Sequence, residues 1–318
     1  MTNYTDANRR LWDEWTGVHE RSAFYDLESF KSGREKRHPF EAAPGVRVRD
    51  YEVEEIGEIA GKDLLHLQCH FGIDSLSWAR LGANVTGIDF STQAIELARA
   101  LAAELGLDAR FVVSSVQDLQ TNLDGHFDIV YTSRGAIWWL ADLEGWARTV
   151  EHFLRPGGVF YVTEFHPIMQ TLDGASDLRE PRVKHPYFPR TEPMSFKVCG
   201  SYADHDAIIE ADIEYGWSHS LGEVVSAVAS AGLRIDFLHE FDWVDHRYIP
   251  LLEETDGGRW RLPSRTTGEL PLMYSLRATK AVLSHGEELP VVRHALEGVR
   301  PAVAESDPGS RHEVLDGA

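Results

Sequence analysis

Short apolar runs alternate along this chain with stretches whose apolar residues recur at helical spacing. Residues 64–67, Leu-Leu-His-Leu, are apolar enough for a buried central strand, and a tight segment, 68–72, follows. Residues 73–81 then have helical spacing, with Leu76, Ala79 and Arg80 continuing the turn and Gly82 as a stop. A second apolar strand, 85–88, ends on Asp89. Strand, loop, helix, strand and terminal acid make the first half of a nucleotide-binding βαβ unit. In such a unit the helix N-terminus presents unpaired N–H groups to an anionic group, and the acid accepts the hydroxyls of a ribose.

The alternation continues downstream. Ser91 is placed to cap a helix whose stripe of Ile95, Leu97, Ala98, Leu101 and Leu105 ends at Gly106. Residues 111–113 read as a third strand and 127–131, FDIVY, as a fourth. A helix over 140–154 runs into Arg155-Pro156-Gly157-Gly158, where Pro and paired Gly stop it and turn the chain into a fifth strand, 159–164.

Residues 165 to about 206 break the rhythm. Five prolines (Pro167, Pro181, Pro186, Pro189, Pro193) punctuate a stretch too long for an ordinary connection. Residues 207–217 then alternate Ile209, Ala211, Ile213 and Tyr215 against acids, a half-exposed strand expected to pair with 196–202 as an added hairpin. Ser220 and Glu223 form a capping box for a helix to Ala231, and 235–241 and 270–278 are the last two strands. Ahead of the first strand, Val53, Ile56 and Ile59 mark a short helix. In the first 50 residues, Leu11, Trp12 and Trp15 predict another, followed by His19, Phe24, Tyr25 and Phe30. A segment of this kind serves either as a lid over the carboxyl ends of the strands or as an aromatic anchor on the sheet. The organisation is thus 1–50 helical lid, 51–281 main domain with an insertion at 165–217, and 282–318 a tail of weak periodicity.

Composition narrows the classes. With 318 residues, 43% hydrophobic and 10% aromatic, the chain is globular. A net charge of −20 argues against a nucleic-acid partner, which wants a basic stripe. Two cysteines, Cys69 and Cys199, imply no disulfide framework and fit a reducing cytoplasm. Residues 1–17 are polar, as no secretory leader is, and no apolar run approaches the ~20 residues of a membrane helix.

The stretch 65–89 resembles motifs I and II of the class I S-adenosylmethionine (SAM) methyltransferases. Their glycine-rich loop reads roughly L-D-x-G-C-G-x-G; here the matching positions read LHLQCHFG. Cys69 and Gly72 match. His66 stands where an acid is usual, and Gln68 and His70 stand where glycines are usual, so side chains replace what is elsewhere bare backbone. LHLQCHFG followed by SWARLGA is similar to one subgroup of these enzymes, and FDIVY and RPGG extend the resemblance, which covers roughly residues 55 to 281. It implies an α/β, Rossmann-like seven-stranded mixed sheet, six strands parallel and one antiparallel, SAM as cofactor, and methyl transfer to a small-molecule acceptor. The residues it places at the cofactor are Gln68, Cys69, His70, Gly72, Asp89 and Phe90, with Ser115 and Val116 at the adenine and Ser133 where donor and acceptor meet. Ser115 replaces the family's usual acid, and Asp118 is near enough in sequence to substitute for it.

Methyl transfer needs alignment and, for an acidic O–H or N–H acceptor, a base. Glu164 and His166, two apart at the end of the fifth strand, are expected to face one side and to supply it; the alternative is a capping acid and a solvated histidine. Trp138, Trp139, Trp217 and Trp243 read either as core and rim or as a box for a cationic amine. His66, Cys69 and His70 lack the fourth partner and paired cysteines of a structural zinc site, and His66 reads better as a satisfied core histidine; no metal is expected. Two other function classes share parts of this pattern. A nicotinamide dehydrogenase opens on the same βαβ unit but wants G-x-G-x-x-G, which residues 68–72 lack. A SAM-binding protein without transfer is the other, because the loop is atypical.

Overall fold

The computed structural model describes residues 3–33, 42–255, 257–264 and 269–282. The tail reading of 282–318 therefore falls, apart from Val282 at its edge, outside the described residues. In chain order the elements begin with helices α1 (Asn3–Arg21), α2 (Leu27–Ser32) and α3 (Asp50–Ile56). Strands and helices then alternate: β1 (Asp63–Leu67), α4 (Ile73–Arg80), β2 (Asn84–Asp89), α5 (Thr92–Leu105), β3 (Ala109–Val113), α6 (Leu119–Asn122) and β4 (Phe127–Thr132). A 3-10 turn, Ile137–Trp139, precedes α7 (Leu143–Phe153) and β5 (Leu154–Phe165). Beyond these lie α8 (Pro167–Gln170), β6 (Met194–Lys197), β7 (Ile213–Gly216), α9 (Leu221–Ser230) and β8 (Leu233–Phe241). The last elements are β9 (Trp243–Val244), β10 (Glu253–Thr255), β11 (Arg259–Arg261) and β12 (Met273–Lys280).

Seven strands form one sheet in the order β3-β2-β1-β4-β5-β12-β8, and β12 runs antiparallel to both of its neighbours. The expected six-plus-one sheet is thus present, with the antiparallel strand in the last interior position. Central strands read as continuous apolar runs because both faces are covered. On one side Leu65, Leu67, Val130, Phe160, Val162 and Leu276 pack under α7 and α9. On the other, Leu64, Val85, Ile129, Tyr131 and Tyr161 meet Trp78 of α4 and Ile56 of α3.

Local chemistry explains the element ends. Ser91 accepts from Ala94 N to cap α5, and Gly106 closes that helix at φ +62°. Ser220 accepts from Glu223 N as the capping box requires. The helix expected over 140–154 starts three residues later, because Asp142 accepts from Gly145 N at 2.7 Å and Leu140 closes the preceding 3-10 turn as its C-cap. The added hairpin is shorter and shifted: Ile213–Gly216 pairs with Met194–Lys197, so the alternation over 207–212 does not extend the ladder. Between β8 and β12 the chain builds a three-stranded sheet, β10-β11-β9, which sequence reading missed. Its strands are two or three residues long, too short for a period to register.

Candidate functional site

The carboxyl ends of β1, β2, β4 and β5 open onto a cavity of about 1010 Å³, at the upper end of the range for small-molecule sites. Its inner wall is the loop after β1. Gln68 and His70 adopt φ of +54° and +51°, the left-handed region that glycine enters freely and other residues enter at a cost of roughly 1–2 kcal/mol. The backbone thus keeps the shape a glycine loop would have, while the side chains are large. Gly72 remains glycine for a separate reason: its φ is +80°, and a Cβ there would come within 2.7 Å of the Phe111 ring.

This loop shape aims His70 N at Asp89. The Asp89 Oδ2 accepts from His70 N at 2.8 Å and Oδ1 accepts from Ser91 N at 2.9 Å. Burial pushes the carboxyl up to about 6, against the pull of the Ser91 and His70 N–H groups. Each oxygen is oriented by one donor and keeps a lone pair for another. Gln68 Nε2 donates to Ala136 O at 2.8 Å, tying the loop to the chain beyond β4. Gln68 Oε1 and His70 Nδ1 are buried without a hydrogen-bond partner, although both residues line the cavity.

Helix α1 roofs this wall. His19 Nδ1 and His70 Nε2 lie 2.8 Å apart, and burial holds His19 down at about 3 and His70 well below the usual imidazole range. Both rings are therefore neutral near pH 7, and one donates to the other. Ser91 Oγ donates to Asp13 at 2.6 Å, Trp15 Nε1 to Gly200 O at 2.9 Å, and Asn8 bonds both N–H and C=O of Tyr215. One helix thus spans the loop, the tip of β2 and the inserted hairpin.

Seven of the expected cofactor residues line the cavity: Gln68, Cys69, His70, Gly72, Asp89, Phe90 and Ser133. Ser115 and Val116 do not. Ser115 Oγ donates to Asp118 at 2.8 Å at the start of α6, so the two polar groups satisfy each other, and Val116 is buried in the main core. His66 is the satisfied core histidine, with Ser75 Oγ at 2.8 Å and Ser133 Oγ at 3.1 Å.

The Glu164–His166 pair does not form. Strand β5 ends at Phe165, so His166 leaves the pleat; its Nδ1 caps α8 by accepting from Ile168 N, and its Nε2 lies 3.0 Å from Glu240. Glu164 turns the other way, accepting from Gly135 N (2.6 Å), Phe165 N (2.6 Å) and Ile137 N (3.0 Å). Burial raises it to about 7, opposed by those backbone donors. Neither side chain lines the large cavity. The four tryptophans also separate: Trp138 and Trp139 line the cavity, Trp217 does not, and Trp243 packs with Tyr51 and Phe241 in another cluster.

A buried ionic cluster was not anticipated. Arg134 pairs with Glu52, with Asp245 (3.2 Å) and with Asp74 (3.5 Å), and Arg49 reaches Asp245 at 2.7 Å. Burial pushes the Asp245 carboxyl up, but Arg49 and Arg134 outweigh it and hold it well below the usual range. Arg49, Asp74, Arg134 and Asp245 line the cavity. These residues come from four separate segments, 49–52, 74, 134 and 245, so no local spacing could have found them.

The acceptor and donor set fits S-adenosylmethionine. Asp89 offers a carboxylate to ribose hydroxyls, and the unpartnered Gln68 Oε1 and His70 Nδ1 offer polar atoms to a methionine amino or carboxylate group. The sheet argues against the nicotinamide alternative, because an antiparallel β12 sits where a dinucleotide-binding sheet continues in parallel.

The sheet order is that of the Rossmann-like methyltransferase fold. Residues 65–162 match the family described as a methyltransferase domain. The ubiquinone biosynthesis O-methyltransferase of Xanthomonas euvesicatoria pv. vesicatoria is 35% identical over 106 residues, 33% of this chain and 44% of that protein. The one from Proteus mirabilis is 28% identical over 158 residues, 48% of this chain and 64% of that protein. The chain thus spans about half the length of the curated relatives it matches. Among solved structures, the S-adenosylmethionine-dependent methyltransferase from Mesorhizobium loti superposes with a TM-score of 0.52 at 20% identity, over 72% of this chain and 96% of that one.

Proposed function

We propose that the protein transfers a methyl group from S-adenosylmethionine to a small-molecule acceptor. One observation carries the reading: the carboxylate of Asp89, oriented by two backbone N–H groups at the tip of β2, faces a 1010 Å³ cavity beside two buried, unpartnered polar atoms. SAM, when bound, supplies an electrophilic methyl group. Asp89 holds the ribose, Gln68 and His70 the methionine end, and Phe90 and Ser133 border them. Helix α1 acts as the lid that excludes water, since Trp12 and Trp15 line the cavity from its side. The relatives named as O-methyltransferases support the reaction class, within the segment they share.

The chain's part in the reaction is chiefly alignment. Glu164 serves as a positioning residue: its carboxylate fixes the turn at Gly135 and Ile137 that forms the wall beyond β4. Asp89→Ala is the test. Hydrogen bonds to a charged acceptor are worth about 1.5–3 kcal/mol, and about 1.4 kcal/mol is one decade, so SAM should bind at least about tenfold more weakly to the folded variant. An unchanged dissociation constant would remove Asp89 from the site and this reading with it.

A further inference from the structure

The cavity extends past the cofactor wall to the inserted hairpin, where Glu214 of β7 has an unusual setting. Its Oε1 accepts from Trp138 Nε1 at 2.7 Å, and Oε2 takes no hydrogen bond from a described residue. Trp138 reaches it because Gly216, two residues on, has no side chain: a Cβ there would lie 1.8 Å from the indole ring. The register sets Glu214 directly opposite Phe196, so their side chains share one face of the hairpin, and the Phe196 ring lies 5.9 Å from that of Trp138. Glu214, Trp138 and Phe196 all line the cavity. A carboxylate thereby stands beside two aromatic residues on the cavity wall.

Glu214 makes no ion pair among the described residues, whereas two arginines that also line the cavity have carboxylate partners: Arg134 with Glu52, Asp74 and Asp245, and Arg49 with Asp245. Burial raises the Glu214 carboxyl, against the Trp138 hydrogen bond. A half-buried carboxylate without a cation is costly to keep, and the cost falls if a ligand brings the cation. Aromatic faces beside a carboxylate suit an ammonium group, which takes both an ionic hydrogen bond and cation–π attraction.

We propose that Glu214, with Trp138 and Phe196, forms the subsite for a protonated amine on the methyl acceptor. This rests on the reading of the cavity as a SAM-dependent active site and assigns its acceptor class, an ammonium-bearing small molecule. It differs from the box suggested by the tryptophans alone, since it needs the carboxylate and uses neither Trp217 nor Trp243.

The experiment uses the full chain saturated with S-adenosylhomocysteine (SAH) and a set of matched fragments, each primary arylalkylamine paired with the alcohol of the same skeleton. Binding is read by ligand-detected NMR competition, and SAH affinity by calorimetry on the same samples. The wild type should prefer amines over alcohols by on the order of tenfold, the scale of one charged hydrogen bond. Glu214→Gln, which keeps shape and removes charge, should abolish the preference and leave SAH affinity unchanged. Phe196→Leu, which keeps the carboxylate, should reduce the preference severalfold. No amine preference in the wild type, or a preference that survives Glu214→Gln, overturns the subsite. Failure of SAH to bind the wild type would instead sink the cofactor reading, while the amine comparison without SAH would still judge the subsite.

Discussion

Replacing Gln68 with glycine separates what the loop needs for its shape from what it needs for its ligand. Gln68 holds a left-handed φ of +54°, which costs a non-glycine residue about 1–2 kcal/mol. Glycine recovers that strain, loses about 0.5–1 kcal/mol to the greater freedom of the unfolded chain, and forfeits the 2.8 Å bond from Nε2 to Ala136 O, worth a net of about 0.5–1.5 kcal/mol. These contributions nearly cancel, so Gln68→Gly should unfold within about 1 kcal/mol of wild type in urea. Gln68→Ala keeps the strain and loses the bond, and should be less stable than the glycine variant by roughly 0.5–1 kcal/mol, the left-handed strain less the unfolded-state entropy that glycine costs. Affinity should behave differently. If the buried, unpartnered Oε1 accepts from the charged amino group of the methionine end, both variants lose about 1.5–3 kcal/mol of binding, roughly ten- to a hundredfold in SAH dissociation constant by calorimetry. A glycine variant that binds SAH as tightly as wild type would refute the assignment of this side chain to the cofactor. An alanine variant as stable as the glycine one would refute the strain.

SAH affinity should also depend on pH through Asp89. Burial raises this carboxyl to about 6, the ionised form is the one that accepts ribose hydroxyls, and affinity should therefore be flat above pH 7 and fall about tenfold from pH 7 to pH 5; calorimetry across that range that shows no change contradicts it. His166→Ala should leave turnover within about twofold, because the imidazole caps α8 and faces Glu240 rather than the cavity; a loss of a hundredfold would restore His166 as a base. Glu164→Gln keeps an oxygen for Gly135 N and Phe165 N but sets its N–H₂ against the Ile137 N–H donor, and should cost about 1–3 kcal/mol of stability, with the loss of turnover appearing first as a raised acceptor KM. A variant of wild-type stability and kinetics would end the positioning role.

The parts legible in the sequence are those fixed by local rules. Apolar runs bounded by Gly82, Gly106 and Gly157 located the central strands and helices, and the acid at the tip of β2 located one end of the site. Gln68 and His70 were visible as departures from a glycine pattern, but their left-handed backbone was not, since residue type alone predicts the opposite. Glu164 and His166 misled because the argument from spacing assumes the strand continues, and β5 stops between them. The ionic cluster of Arg49, Glu52, Asp74, Arg134 and Asp245, and the meeting of Trp138 with Glu214, join residues far apart in the chain. Only the folded sheet brings them together, so no periodicity announces them.

The central claim is that this cavity holds the methyl donor with its ribose on Asp89. Calorimetric titration of the full chain with SAH, and in parallel with NAD, tests it most directly. The account predicts saturable 1:1 binding of SAH that weakens at least about tenfold in Asp89→Ala, and no binding of NAD. Binding of NAD, or no binding of SAH to the folded wild-type protein, would contradict it.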